Sequence, residues 1–329
     1  MRGDYMLSVN ENEFQWEQKY RPKSISECIL PEADKKIFAQ IVKQGRIPSM
    51  ILHSPSPGTG KTTVAKALCE DVGVDYLFVN GADCKIDFIR DEITRFAQSV
   101  SLDEEKREKG KVVIIDEYDR AGLADAQRHL RSFSEAYSNN VTFIITANDL
   151  EGIIPALRSR FDPITFGSPT KDDQLRMMKE MIVRCKAILD KEGVPVEEMR
   201  VLAELVKQNF PDFRRVMKLL DRYAKHGKID AGVLSMVIES SNTEVTDVVE
   251  ALKTKQFANV RKLAPRYTNT YPQFIKKLYN ELYTQVKPAS IIRLTEIIGE
   301  NNQMFAHAAD KEIHIVFLLM QLMVELEFV

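Results

Sequence analysis

The run Ser54-Pro55-Ser56-Pro57-Gly58-Thr59-Gly60-Lys61-Thr62-Thr63 constrains this chain more than any other segment. It follows an apolar stretch, Met50-Ile51-Leu52, and precedes the helix-forming Val64-Ala65-Lys66-Ala67-Leu68. Strand, glycine loop and helix in that order are the context a phosphate-binding loop requires. Gly58 and Gly60 let consecutive backbone N–H groups turn toward one point, and the helix N-terminus behind them favours anions. In that arrangement Lys61 reaches the β- and γ-phosphates of a nucleotide, and the Thr62 hydroxyl meets Mg²⁺. The usual pattern opens with a glycine five residues before Gly60, where this chain has Pro55. A glycine turn before an ordinary helix is the plainer reading of the loop alone; a second motif weighs against it.

That second motif is Val112-Val113-Ile114-Ile115-Asp116-Glu117, which reads as a buried strand ending in two carboxylates. At the carboxyl edge of a parallel sheet, Asp116 faces the Mg²⁺ of a bound nucleotide. Glu117 then accepts a hydrogen bond from the attacking water and acts as general base. Thr142-Phe143-Ile144-Ile145-Thr146-Ala147-Asn148 is another buried strand, ending in a polar side chain. Next to the loop's strand, Asn148 would position the water or sense the γ-phosphate; by itself it is a turn residue.

Up to about Gly167 strand-like and helix-like segments alternate. Strands are expected at Ser49–His53, Tyr76–Asn80, Lys111–Ile115, Thr142–Thr146 and Ile164–Phe166. Helices are expected near Ala33–Gln44, Lys61–Asp71, Asp87–Ser99 and Ala124–Tyr137. This is an α/β pattern, a parallel sheet with helices on both faces and ligands beyond the strands' carboxyl ends. The charge run Asp103–Lys111 reads as a solvated loop. From Thr170 the pattern is helical, with Gly193 and Gly227 as stops, and Phe213, Val216, Met217, Leu220 and Tyr223 form one apolar face. A second all-helical region follows from about Glu244, with the stripe Ile275, Leu278, Tyr279 and Leu282. The expected domains are 1–167, 168–240 and 241–329.

Composition narrows the partners. The 329 residues carry 44% hydrophobic and 29% charged side chains, ordinary values for a soluble globular protein. A net charge of −2 leaves any nucleic-acid site to a local patch. The cysteines Cys28, Cys69, Cys84 and Cys185 form no Cys-x-x-Cys pair, which argues for reduced thiols in a cytosol. The N-terminus has no long apolar core of a secretory signal. The apolar stretch Ile313–Val329 is interrupted by His314, Gln321, Glu325 and Glu327, and suits a buried or partner-facing helix better than a membrane span.

The phosphate loop, Asp116-Glu117 and Asn148 resemble Walker A, Walker B and sensor 1 of the AAA+ ATPases. Trp16-Glu17-Gln18-Lys19-Tyr20-Arg21-Pro22 resembles the W-x-E-K-Y-R-P opening of sliding-clamp loaders. Ala126–Tyr137 is similar to their A-Q-x-A-L-R-R-x-M-E-x-Y segment, and Ser159-Arg160-Phe161 to their S-R-C signature, with Phe161 at the cysteine. Together with Ser-Pro-Ser-Pro, the resemblance points to the large ATPase subunits of T-even-type bacteriophage clamp loaders. It implies a five-stranded AAA+ domain, a helical lid and a helical collar for oligomerisation. The implied activity is ATP hydrolysis with Mg²⁺, stimulated by DNA and clamp. The implied partners are further copies, a non-ATPase loader subunit, a ring-shaped clamp and primer–template DNA, in a host cytoplasm.

The same resemblance assigns roles. Gly58, Thr59, Gly60, Lys61, Thr62 and Thr63 would hold the phosphates. Glu17, Gln18, Lys19 and Tyr20 would line the adenine–ribose side, with Ile29 near the base. Arg160 would be an arginine finger for a neighbouring subunit's site, and Arg214 a sensor 2 arginine for its own. Lys85, Ile86 and Arg90 would meet DNA, with Arg128 and Arg131 as a second phosphate surface or subunit contact. Phe96–Leu102 would press on the clamp through Val100 and Leu102. A different AAA+ machine, such as a branch-migration motor or helicase loader, would share the first domain's chemistry; the helical pattern after Glu244 argues against it. A scaffold subunit without ATPase activity would lack the residues found at 61, 62, 116, 117 and 148.

Overall fold

The computed structural model describes residues 7–101, 103–166, 169–230, 232–233, 245–268, 271–305 and 308–328. The chain divides into two compact units, Met1–Leu234 and Ser235–Val329.

The first unit is built on a parallel sheet of five strands: β1 Met50–His53, β2 Asp75–Asn80, β3 Lys111–Asp116, β4 Val141–Ala147 and β5 Asp162–Thr165, in the order β2-β3-β4-β1-β5. Val112–Ile115 and Phe143–Ala147 are almost completely buried, because helices cover both faces of the sheet. One apolar cluster joins Leu52, Val64, Leu68, Val112 and Ile144 to Phe38; another joins Ile51, Val113, Ile115, Phe143 and Ile145 to Leu130 and Phe161. Placing β1 between β4 and β5 sets the phosphate loop beside the end of β4, the topological position where such sheets bind ligands.

Six helices precede or connect the first three strands. They are α1 Trp16–Lys19, α2 Glu32–Gln44, α3 Lys61–Val72, α4 Ile86–Phe88, α5 Thr94–Gln98 and α6 Glu104–Lys109. Two expectations need correction here. The helix expected over Asp87–Ser99 is interrupted by a π-helical turn, Ile89–Ile93, where the Thr94 hydroxyl donates to Ile89 O at 3.1 Å. The charge run is not a loop but α6. Asp103 caps it by accepting from Glu105 N at 3.0 Å, and acidic residues open it while basic ones close it, matching the helix dipole. Lys111 is not part of the solvated run. It starts β3, buried, with its ammonium donating to Phe96 O at 2.8 Å and Ser99 O at 2.6 Å.

Then come α7 Ala124–Ala136 and α8 Pro155–Arg158, followed by the lid helices α9 Lys171–Lys191, α10 Met199–Asn209 and α11 Phe213–Ala224. The Thr170 hydroxyl caps α9, and Asp212 caps α11 by accepting from Arg215 N at 2.9 Å. Arg184 of α9 is buried and donates to Tyr20 O at 2.8 Å and Glu27 O at 3.1 Å, which ties the lid to the N-terminal arm. All four cysteines are buried and free, and burial pushes each thiol up to about 12.

The second unit is helical: α12 over 245–253, α13 Phe257–Leu263, α14 Tyr271–Tyr283, α15 Ile291–Met304 and α16 Lys311–Glu325. Ile275, Leu278 and Leu282 enter its core, and Tyr279 packs at the core's edge. Helix α16 is apolar on both sides. Ile315, Leu318, Leu319 and Leu322 are buried, whereas Ile313, Phe317, Met320 and Val324 are exposed at the helical spacing of a single stripe. Among the described residues no helix is long and apolar enough to cross a membrane.

Candidate active site

The loop after β1 turns on two glycines with positive φ, Gly58 at 71° and Gly60 at 97°, the second being the N-cap of α3. A Cβ on Gly58 would collide with the Asp212 carboxylate, so the lid's capping residue sits directly on the phosphate loop. Lys61 begins α3 and is only 8% exposed. Its ammonium donates to Ser54 O at 3.2 Å, Ser56 O at 3.3 Å and Asn148 Oδ1 at 2.8 Å. All three acceptors are neutral. Burial lowers its pKa from the ordinary lysine value, opposed by Asp119 and Asp116. A buried cation in contact only with neutral oxygens, at a helix N-terminus, is a site fitted to an anion.

The acidic edge is wired to the same loop. Thr62 Oγ1 donates to Asp116 Oδ1 at 2.7 Å, and Thr146 Oγ1 donates to the same oxygen at 2.7 Å. The Thr146 hydroxyl also accepts from Glu117 N at 2.9 Å, while Tyr118 N donates to Thr146 O at 3.0 Å. These bonds hold Glu117 at φ 55°, a left-handed conformation that costs a non-glycine residue about 1 kcal/mol. The Glu117 carboxylate pairs with Arg120. Gly81 lies against this turn: a Cβ there would stand 2.5 Å from Glu117 O, so only glycine allows the approach. No cluster of three or more His, Cys, Asp or Glu suited to a metal occurs among the described residues. The Thr62 hydroxyl and the Asp116 carboxylate, side by side at the phosphate loop, are oxygen donors of the kind that suits Mg²⁺.

These groups open into a cleft of about 1100 Å³ including its mouth. Gly58 to Thr63, Asp116, Glu117, Asn148, Arg214, Glu17, Gln18, Tyr20 and Ile29 all line it. Met181, Phe213 and Met217 of the lid add further apolar lining. Glu17 Oε2 is buried without a hydrogen bond, with Lys218 Nζ 3.3 Å away. The Arg214 guanidinium makes no hydrogen bond or ion pair among the described residues. Lys19 is not part of the lining; its ammonium donates to Glu192, the C-cap of α9, at 2.5 Å, and the Tyr20 hydroxyl joins the same carboxylate. Sequence reasoning had passed over Arg21, which lines the cleft and donates to Thr63 Oγ1 at 3.2 Å. Burial, then the nearby Arg214, depresses its pKa.

Other missed residues act at a distance. The Asp119 carboxylate accepts from Asn148 N and Asp149 N, both at 2.7 Å, fixing the Asn148 turn. Gln127 of α7 is 1% exposed; its amide donates to Tyr118 O and Gly152 O, both at 2.9 Å, and accepts from Ile154 N at 2.8 Å. Arg160, two residues beyond α8, lies outside the cleft lining, with its guanidinium on Ser134 and Glu135 in the last turn of α7. Lys85 and Arg90 are exposed and Ile86 is half-buried; α4 and the π turn that carry them pack against α7. On α7, Arg128 pairs with Asp125 and Arg131 with Glu135 at 3.4 Å. Val100 is 68% exposed, and Leu102 lies outside the described residues.

A parallel sheet with a phosphate loop, an Asp-Glu edge and a polar residue at the end of the neighbouring strand defines a nucleotide-binding ATPase. The profile of the ATPase family associated with various cellular activities matches residues 51–168. In fold the chain is similar to the Holliday junction branch migration motor RuvB of Thermotoga maritima, with 19% identity over 72% of this chain and 80% of that one and a TM-score of 0.53. That likeness concerns the fold alone. Two further profiles match, the sliding-clamp-loader large subunit's AAA+ ATPase lid domain over residues 173–235 and its C-terminal domain over 270–327. The chain is 53% identical to the sliding-clamp-loader large subunit of Enterobacteria phage T4 over 98% of its own length and 100% of that protein. It is 52% identical to that of Escherichia phage RB69 over 98% and 99%, and 28% identical to the replication factor C small subunit of Saccharolobus solfataricus over 95% of each. The chain belongs to the sliding-clamp-loader large-subunit family of AAA+ ATPases.

Proposed function

We propose that this chain is the ATP-hydrolysing subunit of a clamp loader, and that each ATP site is completed by Arg160 of an adjoining copy. One observation carries this reading. Lys61, Thr62, Asp116, Asn148 and Arg214 converge on one cleft, while Arg160 lies outside its lining. Lys61 neutralises the β- and γ-phosphates, and Arg214 senses the γ-phosphate from the lid. Glu117 takes the proton of the attacking water, which Asn148 orients. Thr62 and Asp116 would hold Mg²⁺, which would supply neutralisation of the phosphate charge. Arg160 stabilises the charge that develops in the transition state, a contribution of roughly 10³–10⁵ in rate for such fingers.

The exposed stripe Ile313, Phe317, Met320 and Val324 supports assembly of copies through the C-terminal helical region. ATP-bound copies then form a spiral that opens a ring-shaped clamp, and primer–template DNA enters its centre. The basic residues Lys85, Arg90, Arg128 and Arg131 neutralise phosphates without reading bases. Hydrolysis removes the γ-phosphate contacts that hold the spiral, and the clamp closes on DNA. The test is ATP turnover by the purified assembly with and without primed DNA and clamp. Stimulation by both is expected; turnover indifferent to both contradicts the loader reading and leaves the ATPase intact.

A further inference from the structure

Arg160 is held along one edge only. Its Nε donates to Ser134 Oγ at 3.0 Å and its Nη2 to Ser134 O at 3.4 Å, so one residue takes two donors of the planar guanidinium. The Ser134 side is buried, 4% exposed, and its own hydroxyl proton goes to Arg131 O at 2.7 Å. With that proton committed, the hydroxyl offers Arg160 a lone pair, and the bond has a fixed polarity. The other side of the fork, Nη1, meets only Glu135 Oε1 at 3.4 Å, a carboxylate shared with Arg131 and 45% exposed. That contact is long and wet, and a more highly charged phosphate displaces it readily.

The backbone beneath the guanidinium is equally fixed. Phe161 is 1% exposed and stacks on Phe143 with centroids 5.9 Å apart at 11°, and Phe143 meets Phe133 of α7 edge-on at 6.2 Å. Two of the positions where this chain departs from the clamp-loader patterns quoted above, Ser134 for methionine and Phe161 for cysteine, thus bear on Arg160. We infer that Ser134 is a positioning residue for hydrolysis: it grips the inner edge of the Arg160 guanidinium and leaves the Nη1 edge for the triphosphate of an adjoining copy. The inference rests on the reading of Arg160 as acting in trans.

The test measures kcat and KM for ATP in the complete loader with DNA and clamp, for Ser134→Ala, Arg160→Ala and the double variant. Loss of one hydrogen bond to a charged group predicts a kcat about ten- to a hundredfold lower for Ser134→Ala, with KM within about twofold. In the Arg160→Ala background the second substitution should cost nothing further. If Ser134→Ala also lowers the melting midpoint, Ser134→Thr, which keeps the hydroxyl, takes its place. It should turn over near the wild-type rate, and a threonine variant as slow as the alanine one overturns the inference. A Ser134→Ala enzyme at full rate beside an impaired Arg160→Ala enzyme overturns the inference but not the trans reading. A Ser134→Ala loss that persists undiminished without Arg160 also overturns it. An unimpaired Arg160→Ala enzyme removes both.

Discussion

In the nucleotide cleft the polar groups answer one another within a single chain: Lys61 meets Asn148, and Thr62 and Thr146 share one oxygen of Asp116. In the Arg160 corner the groups instead hold a guanidinium by its inner edge, with the side chain still 35% exposed and outside the lining of the cleft. The first region is a binding site that is nearly finished. The second, on the reading proposed above, serves a triphosphate held by another copy. On that reading, dividing the site this way would make hydrolysis conditional on assembly.

Two substitutions separate the regions most sharply. Lys61→Ala removes the buried ammonium, so nucleotide affinity should fall about 100-fold and turnover with it. Arg160→Ala should leave nucleotide affinity unchanged while turnover in the assembly falls about 10³-fold. Fluorescent-nucleotide titration beside steady-state turnover checks both; a parallel loss of affinity in Arg160→Ala would place that residue in its own cleft.

Gln127 is the buried link between the regions, bonded to the turn after Glu117 and to Gly152 and Ile154, just ahead of α8. Gln127→Ala leaves three backbone groups, one buried and two half-buried, without this partner, and the first unit should lose roughly 3 kcal/mol of stability in urea unfolding. The smallest expected effect concerns the lid. Burial pushes the Glu192 carboxyl up, but hydrogen bonds from Lys19 and Tyr20 outweigh it and hold the group below its ordinary 4.5. A depressed carboxylate contributes stability above its unfolded pKa and loses it as pH falls through the folded one. Unfolding followed from about pH 5 downward should therefore be flatter for Glu192→Gln than for wild type, by about 1 kcal/mol or less.

Much of the cleft was legible in the sequence because its chemistry is local. Glycine spacing, a lysine and a threonine at a helix start, and carboxylates after an apolar run each follow from neighbours in the chain. The strands were legible for a similar reason, as runs such as Val112–Ile115 buried on both faces. What escaped depends on partners far along the chain. Thr146 looked like one more strand residue until β4 lay beside β3, and Gln127 gained its role only when Gly152 and Ile154 came within reach. The Asp103–Lys111 run failed differently: charge suggested solvent, but the order of its charges and an aspartate cap favoured a helix. The π turn after Ile89 had no signal beyond a threonine whose hydroxyl reaches back to a carbonyl.

The most direct measurement is turnover in assemblies formed from Arg160→Ala and Glu117→Ala copies, with DNA and clamp present and subunits free to exchange. Each variant alone lacks one half of every site. Mixed, some junctions pair an intact Glu117 with an intact Arg160, and turnover should rise above that of either variant. A mixture no more active than its separate components, with exchange demonstrated, would contradict hydrolysis across the junction.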